Sequence, residues 1–379
     1  MKQTFKLGTI GGVPVGLNWS AVVTVILIAD ILAQSILPSA PAGARWLAAL
    51  VTAALFLGSL AAHELAHAVV ARRHGVRVNS ITLWMLGGVA ELEGEPPNSG
   101  ADLRIAAVGP ATSGAMAAVF TAAWAVAGAF GASPLSTASL AWLAITNGAI
   151  ALFNLLPGAP LDGGRILRGL LWRRRGDRIS AAHAADRAGL AMGRAMIGGG
   201  LAALLIGGWF DGLWLVLVGW FITSSAKAED RWTDLREAAA DRRIADIMTP
   251  HPDHGWTWQP AGAFIETVAL ASRQKVFPVI DAGGGPVGVV TVERLARVPA
   301  GDADVTLGTL AVPLQAGRIV GPDEPATTVL SYPPFMGDLI AVVVADHHLL
   351  GIVTTENVQM LIRRSRLRLA IPAATGRAA

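Results

Sequence analysis

Between Arg45 and Arg72 the chain carries no ionisable side chain except His63, Glu64 and His67. A run this long and apolar, at about 1.5 Å of rise per residue, crosses the roughly 30 Å hydrocarbon core of a bilayer as a helix. Lipid offers backbone N–H and C=O groups no partner, so the segment must satisfy them internally. Ionisable residues inside such a helix are expensive and mark function by default. Residues four apart share a helix face, so His63 and His67 can turn two imidazoles toward one metal ion. Glu64, one position on, reaches a metal-activated water. The pattern predicts a zinc hydrolase, with structural histidines as the plain alternative.

The rest of the chain has the same character. Of its 379 residues, 53% are hydrophobic and 15% charged, with a mean hydropathy of +0.51, too apolar for an ordinary soluble protein of this length. Runs able to span a membrane are read at 17–37, 46–71, 104–130, 138–157, 187–208 and 210–227, which predicts about six spans. The net charge of +3 and pI near 9.8 come from arginines at the ends of these runs, so they report topology and not a nucleic-acid partner. Basic residues at 72–77, 165–178 and 227–236 flank alternate ends, which puts both termini in the cytoplasm of a multi-pass plasma-membrane protein. His63 then falls past the midpoint of its span, nearer the cytoplasmic face. The reading expects no cleavable signal peptide. Cysteine is absent, so metal ligands must be His, Asp or Glu.

Residues 76–84 are β-rich, and Gly87-Gly88 interrupts them before Val89-Ala90-Glu91-Leu92. This predicts a membrane-associated β-hairpin, with a mere connecting loop as the alternative. The hairpin directly follows the zinc helix and is placed to present an edge strand to an extended peptide. A third ligand is sought where regular helix fails at membrane depth. Pro157, Pro160 and Gly163-Gly164 break the segment from Asn154 to Arg165, and such backbone is tolerated only when buried in protein or lining a wet cavity. Asp162 is an acid that this bend can deliver to a metal on another helix; the alternative is a helix N-cap.

The apolar His63-Glu64-x-x-His67, followed by Asn154 to Gly163, resembles the paired signatures of the site-2 protease family of intramembrane zinc metalloproteases, over about residues 1–228. The resemblance implies His63, His67 and Asp162 as ligands of one catalytic Zn2+, Glu64 as general base, and Asn154 in contact with substrate or oxyanion. Gly109-Pro110 resembles a further element of the family. The implied activity is cleavage of transmembrane segments of single-span membrane proteins within the lipid bilayer, an anti-sigma factor or a small membrane peptide being examples. A rival from another class is a membrane transporter or channel with His63, Glu64 and Asp162 as an ion path. The one-turn spacing of two histidines around a base favours the protease.

After Ala240 the composition becomes that of a soluble α/β module, and a repeat appears. Ile244, Ile247, Pro250, Val279, Gly288, Thr291 and Glu293 match Leu307, Leu310, Pro313, Val342, Gly351, Thr354 and Glu356 at a constant offset. The expected division is a transmembrane domain at 1–228, a linker at 229–243, repeats at 244–304 and 305–366, and a disordered tail at 367–379. The duplicated part resembles a pair of CBS domains, which implies a cytoplasmic regulatory module, adenine nucleotides in clefts beside Thr291 and Thr354, and a homodimer. Arg294 and Asn357 replace the acid that holds ribose in that family, so weak or single-cleft nucleotide binding is expected. His251, His254, His347 and His348 read as solvated loop residues. The fold class is thus a multi-span α-helical membrane protein with a β-hairpin, joined to an α/β CBS pair.

Overall fold

The apolar run that holds the two histidines is the second helix in the computed structural model, which describes residues 4–10, 12–35, 40–85, 87–207 and 209–370. Seven helices follow in order: α1 (Trp19–Ser35), α2 (Ala42–Arg73), α3 (Ser99–Ala129), α4 (Pro134–Asn154), α5 (Asp162–Arg175), α6 (Arg178–Ile206) and α7 (Trp209–Ala240). Among the described residues α2, α3, α4 and α6 are long and apolar enough to cross a membrane, and α1 is apolar but has 17 residues. The sixth expected run lies in the first half of α7. Side chains such as Leu47, Leu205, Phe210 and Trp214 point outward and exposed, as a lipid-facing surface requires. The chain divides into two units, Met1–Asp230 and Arg231–Ala379. The expected linker is helical up to Ala240, as the end of α7.

Local signals set the helix ends. Asn98 caps α3 by accepting from the Ala101 N–H. Gly176, at φ 75°, ends α5, and the Asp177 carboxylate then accepts from the Ile179 and Ser180 N–H groups to begin α6. A buried pair ties α5 to α3: Arg168 donates from Nε and from its second terminal nitrogen to the two carboxylate oxygens of Asp102, at 2.9 and 2.8 Å. Burial pushes the Arg168 guanidinium down, but its bonds to Asp102 outweigh that and hold it above the usual range.

A four-stranded sheet in the order β1-β2-β3-β4 accompanies these helices. β1 (Phe5–Ile10) and β2 (Val13–Leu17) form an antiparallel hairpin, β3 (Arg77–Trp84) pairs parallel to β2, and β4 (Gly87–Glu93) pairs antiparallel to β3. The expected hairpin is therefore present, but Gly87 and Gly88 belong to its second strand, opposite Trp84 and Leu83. No element is read from sequence at β1 and β2, because Gly8, Gly12, Pro14 and Gly16 obscure their alternation. Val13, Val15 and Ile81 pack on Ala68 of α2, so the sheet is seated one residue from His67.

The second unit bears out the repeat. β5 (Thr249–Pro250), β6 (Gly255–Trp256), β7 (Val276–Ile280) and β8 (Pro286–Thr291) recur as β9 (Val312–Pro313), β10 (Ile319–Val320), β11 (Leu339–Ala345) and β12 (His348–Thr354), before α8 (Thr355–Ala370). The sheets are β6-β7-β8-β9 and β10-β11-β12-β5, so each repeat lends its first strand to the other. The register agrees: Gly288 pairs with Pro313 and Gly351 with Pro250. Val276, Val289, Leu339, Val342 and Ile352 form one core between the sheets. Residues 367–370, expected in a disordered tail, are the last turn of α8, because the helical run begun at Thr355 meets no breaker there; 371–379 lie outside the described residues.

Candidate metal centre

His63 and His67 are one turn apart on α2 and are 3% and 5% exposed. Asp162 is the first residue of α5, where the chain emerges from the bend after α4. The N-cap is Leu161 and makes no side-chain cap bond, so Asp162 is not the cap that the alternative reading expects. Its Oδ2 lies 3.2 Å from His63 Nε2 and 3.2 Å from His67 Nε2, and the two Nε2 atoms are themselves 3.2 Å apart.

The outer nitrogens of the rings decide what this triangle can do. His67 Nδ1 is 2.6 Å from the Ile105 carbonyl, which can only accept, so Nδ1 carries a proton and, in the neutral ring, Nε2 a lone pair. His63 Nδ1 is 2.9 Å from Ser113 Oγ. With its proton also on Nδ1, two lone pairs and a carboxylate oxygen converge on one point and require a cation between them. Donor atoms around a tetrahedral zinc with bonds of about 2.0–2.1 Å lie about 3.3 Å apart, which matches this spacing. Held by these three donors, a tetrahedral zinc would keep one position for water or substrate.

Three positions on one stripe of α3 serve the two rings: Ile105, Gly109 and Ser113, each four residues on. A side chain on Gly109 would put its first carbon 2.6 Å from His63 Nε2 and closer still to His67. Pro110 follows, and with no N–H of its own and a ring that crowds the preceding turn, it loosens the helix bonding beside the Ile105 carbonyl.

Glu64 is half-buried, and β4 lies across it, since a carbon added to Gly88 would fall 2.7 Å from Glu64 Cδ. Asn154 is the last residue of α4 and has no hydrogen bond to His63, Glu64, His67 or Asp162 among the described residues. Sequence reasoning does not single out Ser113 or the Asp102–Arg168 pair, and it takes Gly88 only for the hairpin's turn; the four-residue spacing from Gly109 is the one signal that points to Ser113.

In the second unit Thr291 and Thr354 are both turned to local structure. Thr291 Oγ1 accepts from the Arg294 N–H at 3.2 Å. Asn357 Oδ1 accepts from Thr354 N and Oγ1 at 2.8 and 2.9 Å, and Asn357 Nδ2 donates to Thr249 Oγ1. A cleft of about 330 Å³ opens beside α8 and is lined by Lys275, Asp338, Thr355, Glu356 and Arg363 among others, but not by Thr354.

A family model described as Peptidase family M50 matches residues 51–136 and 129–197. The chain is 41% identical over 374 residues to the protein named as zinc metalloprotease Rip3 in Mycobacterium tuberculosis, over 97% of this chain and 95% of that one. Among solved structures, the site-2 protease from Methanocaldococcus jannaschii is 27% identical, covers 60% of this chain and 95% of its own, and superposes with a TM-score of 0.41. The CBS domains of a transcriptional regulator from Streptococcus pneumoniae are 19% identical and cover 32% of this chain and 98% of their own, with a TM-score of 0.28.

Proposed function

This chain belongs to peptidase family M50, the zinc metalloproteases of the site-2 protease type, and from that premise we propose that it cleaves transmembrane segments of single-span membrane proteins at a centre built from His63, Glu64, His67 and Asp162. The observation that carries the site assignment is the convergence of His63 Nε2, His67 Nε2 and Asp162 Oδ2 at 3.2 Å, with both outer ring nitrogens engaged. These three atoms would hold the zinc, which when bound polarises a peptide carbonyl and acidifies water.

The chain's own groups do the rest. Glu64 accepts a proton from the attacking water as its oxygen bonds to the carbonyl carbon, and returns it to the amine as the C–N bond breaks. Asn154 offers an amide N–H to the carbonyl oxygen or to the substrate strand. A helical substrate hides its scissile carbonyl in its own hydrogen bonds and must unwind. β4 ends its sheet and passes over Glu64 at Gly88, so a segment added along its edge lies extended beside the base.

Residues 1–228 would form the protease domain of a plasma-membrane protein with both termini in the cytoplasm, and 244–304 and 305–366 a CBS pair that regulates it or makes it a dimer. With Thr291 and Thr354 engaged as caps of the helices that follow them, adenine nucleotides are expected to bind weakly there. The test is a membrane-proteome comparison between cells expressing wild-type protein and Glu64→Gln. Full-length single-span proteins should accumulate with the variant; unchanged cleavage by it sinks the assignment of the base.

A further inference from the structure

We propose that Ser113 is a positioning residue for the metal centre: its hydroxyl holds the His63 proton on Nδ1 and so keeps Nε2 available as a donor. The inference rests on His63 being a metal ligand, as read above.

A neutral imidazole has one N–H and two places for it. If the proton of His63 moves to Nε2, that atom can donate to Asp162 Oδ2, which already lies 3.2 Å away. The centre would then satisfy itself by a histidine–aspartate hydrogen bond, with one donor atom lost and a second engaged. Metal binding competes directly with this closed arrangement.

Ser113 opposes it. It is 1% exposed, its Oγ is 2.9 Å from His63 Nδ1, and it stands on a face of α3 that the protein has already committed to the rings. Thr112 and Thr121 on the same helix direct their hydroxyl protons to the carbonyl four residues back. Ser113 has no such bond among the described residues, and His63 Nδ1 is the partner of its hydroxyl. With Nε2 committed to a metal the imidazole proton must sit on Nδ1, and the Ser113 oxygen, 2.9 Å away, is there to accept it. Among the described residues it is the one side chain outside the triangle that bonds either ring. His67 needs no such side chain, since the Ile105 carbonyl fixes its proton through the backbone. The protein has therefore left one ring under main-chain control and the other under the control of a single hydroxyl.

The experiment measures zinc affinity of full-length protein in detergent by competition with a chromophoric chelator, together with thermal melting of the chelator-stripped protein. Ser113→Ala should bind zinc about ten- to a hundredfold more weakly, the usual cost of losing such an outer partner. Ser113→Thr should restore affinity to near wild type, and the stripped proteins should melt alike. Wild-type affinity in Ser113→Ala, no rescue by Ser113→Thr, or a stripped Ser113→Ala that melts early would each overturn the proposal. His63→Ala separates the two readings. If it keeps zinc, the ligand assignment fails and the proposal with it; if it loses zinc while Ser113→Ala does not, only the role of Ser113 fails.

Discussion

Gly109→Ala tests how closely α3 must approach the two imidazoles. The added carbon would stand 2.6 Å from His63 Nε2, where an ordinary contact needs about 3.4 Å, so ring or helix must yield by at least about 0.8 Å. Neither can yield freely. Both rings are tied at their outer nitrogens to the helix that would be pushing them. A displacement of this size changes a 3.2 Å donor triangle by a quarter of its edge, beyond what bonds of about 2.0–2.1 Å to one ion tolerate.

A misplacement near 1 Å costs about 10²-fold in rate, equivalent to roughly 2.7 kcal/mol of transition-state stabilisation. Overpacking costs a further ~1–3 kcal/mol of stability, partly offset by the ~0.5–1 kcal/mol that alanine gains over glycine within a helix. Zinc competition and cleavage of a model transmembrane peptide read the two effects. The control is on the same helix: Gly114 has nothing within 4 Å of its added carbon, so Gly114→Ala should leave both readouts unchanged. A Gly109→Ala protein that binds zinc and cleaves like wild type would refute the close approach on which the geometry depends.

Glu64→Gln should retain zinc and lose cleavage, since it removes the proposed base and leaves the three donor atoms in place; zinc content and peptide cleavage on the same preparation decide it. Asp162→Ala should lower zinc occupancy markedly, and a variant with full zinc that only melts early would return Asp162 to a structural role. Asp102→Asn strips the partner from an Arg168 that is 14% exposed, and unfolding in detergent should show a loss of about 3–5 kcal/mol; an unchanged midpoint would mean that water enters and screens the pair. Reporter fusions after Arg73 and after Ala240 should report cytoplasm, and one near Ser133 the outside; an extracytoplasmic tail would reverse the orientation.

What can be read from the sequence depends on how far a residue's surroundings limit its explanations. His63 and His67 stand out because an apolar spanning helix offers no ordinary use for them, and Asp162 because two prolines break the helix before it at membrane depth; Gly163 and Gly164, expected to extend that break, lie in the first turn of α5. The tail is legible through a different logic: an offset that holds from Pro250 and Pro313 to Thr291 and Thr354 reappears as the same strand pairing in both sheets. Ser113 stays hidden because a serine in a spanning helix commonly bonds its own helix and looks like any other. Asp102 and Arg168 are 66 residues apart, and nothing local marks them as partners. The strands β1 and β2 are missed because glycines and a proline blur their period, and their place is fixed by β3, more than sixty residues on.

Asp162 poses the last physical question, how a carboxylate on a separate helix arrives at the right depth and stays there. Two restraints act on α5 from opposite ends of its first turns. At the start, Gly163 lies so close to the preceding bend that an added carbon would be 2.5 Å from the Leu155 carbonyl carbon, and Gly164 is packed equally hard against Gly158 and Ala159. The helix thus begins on the backbone of the bend itself, with no side chain to act as a spring. Two turns later, Arg168 bonds Asp102 near the start of α3, the helix that also carries Ile105, Gly109 and Ser113. α3 therefore orients both histidines and, through Arg168, fixes the element that bears the third donor. This common support predicts a coupling: Asp102→Asn should weaken zinc binding as well as stability, and in combination with Ser113→Ala the losses should depart from additivity, since both act through one helix. Simple addition of the two effects would show that α3 braces the histidines and the aspartate independently.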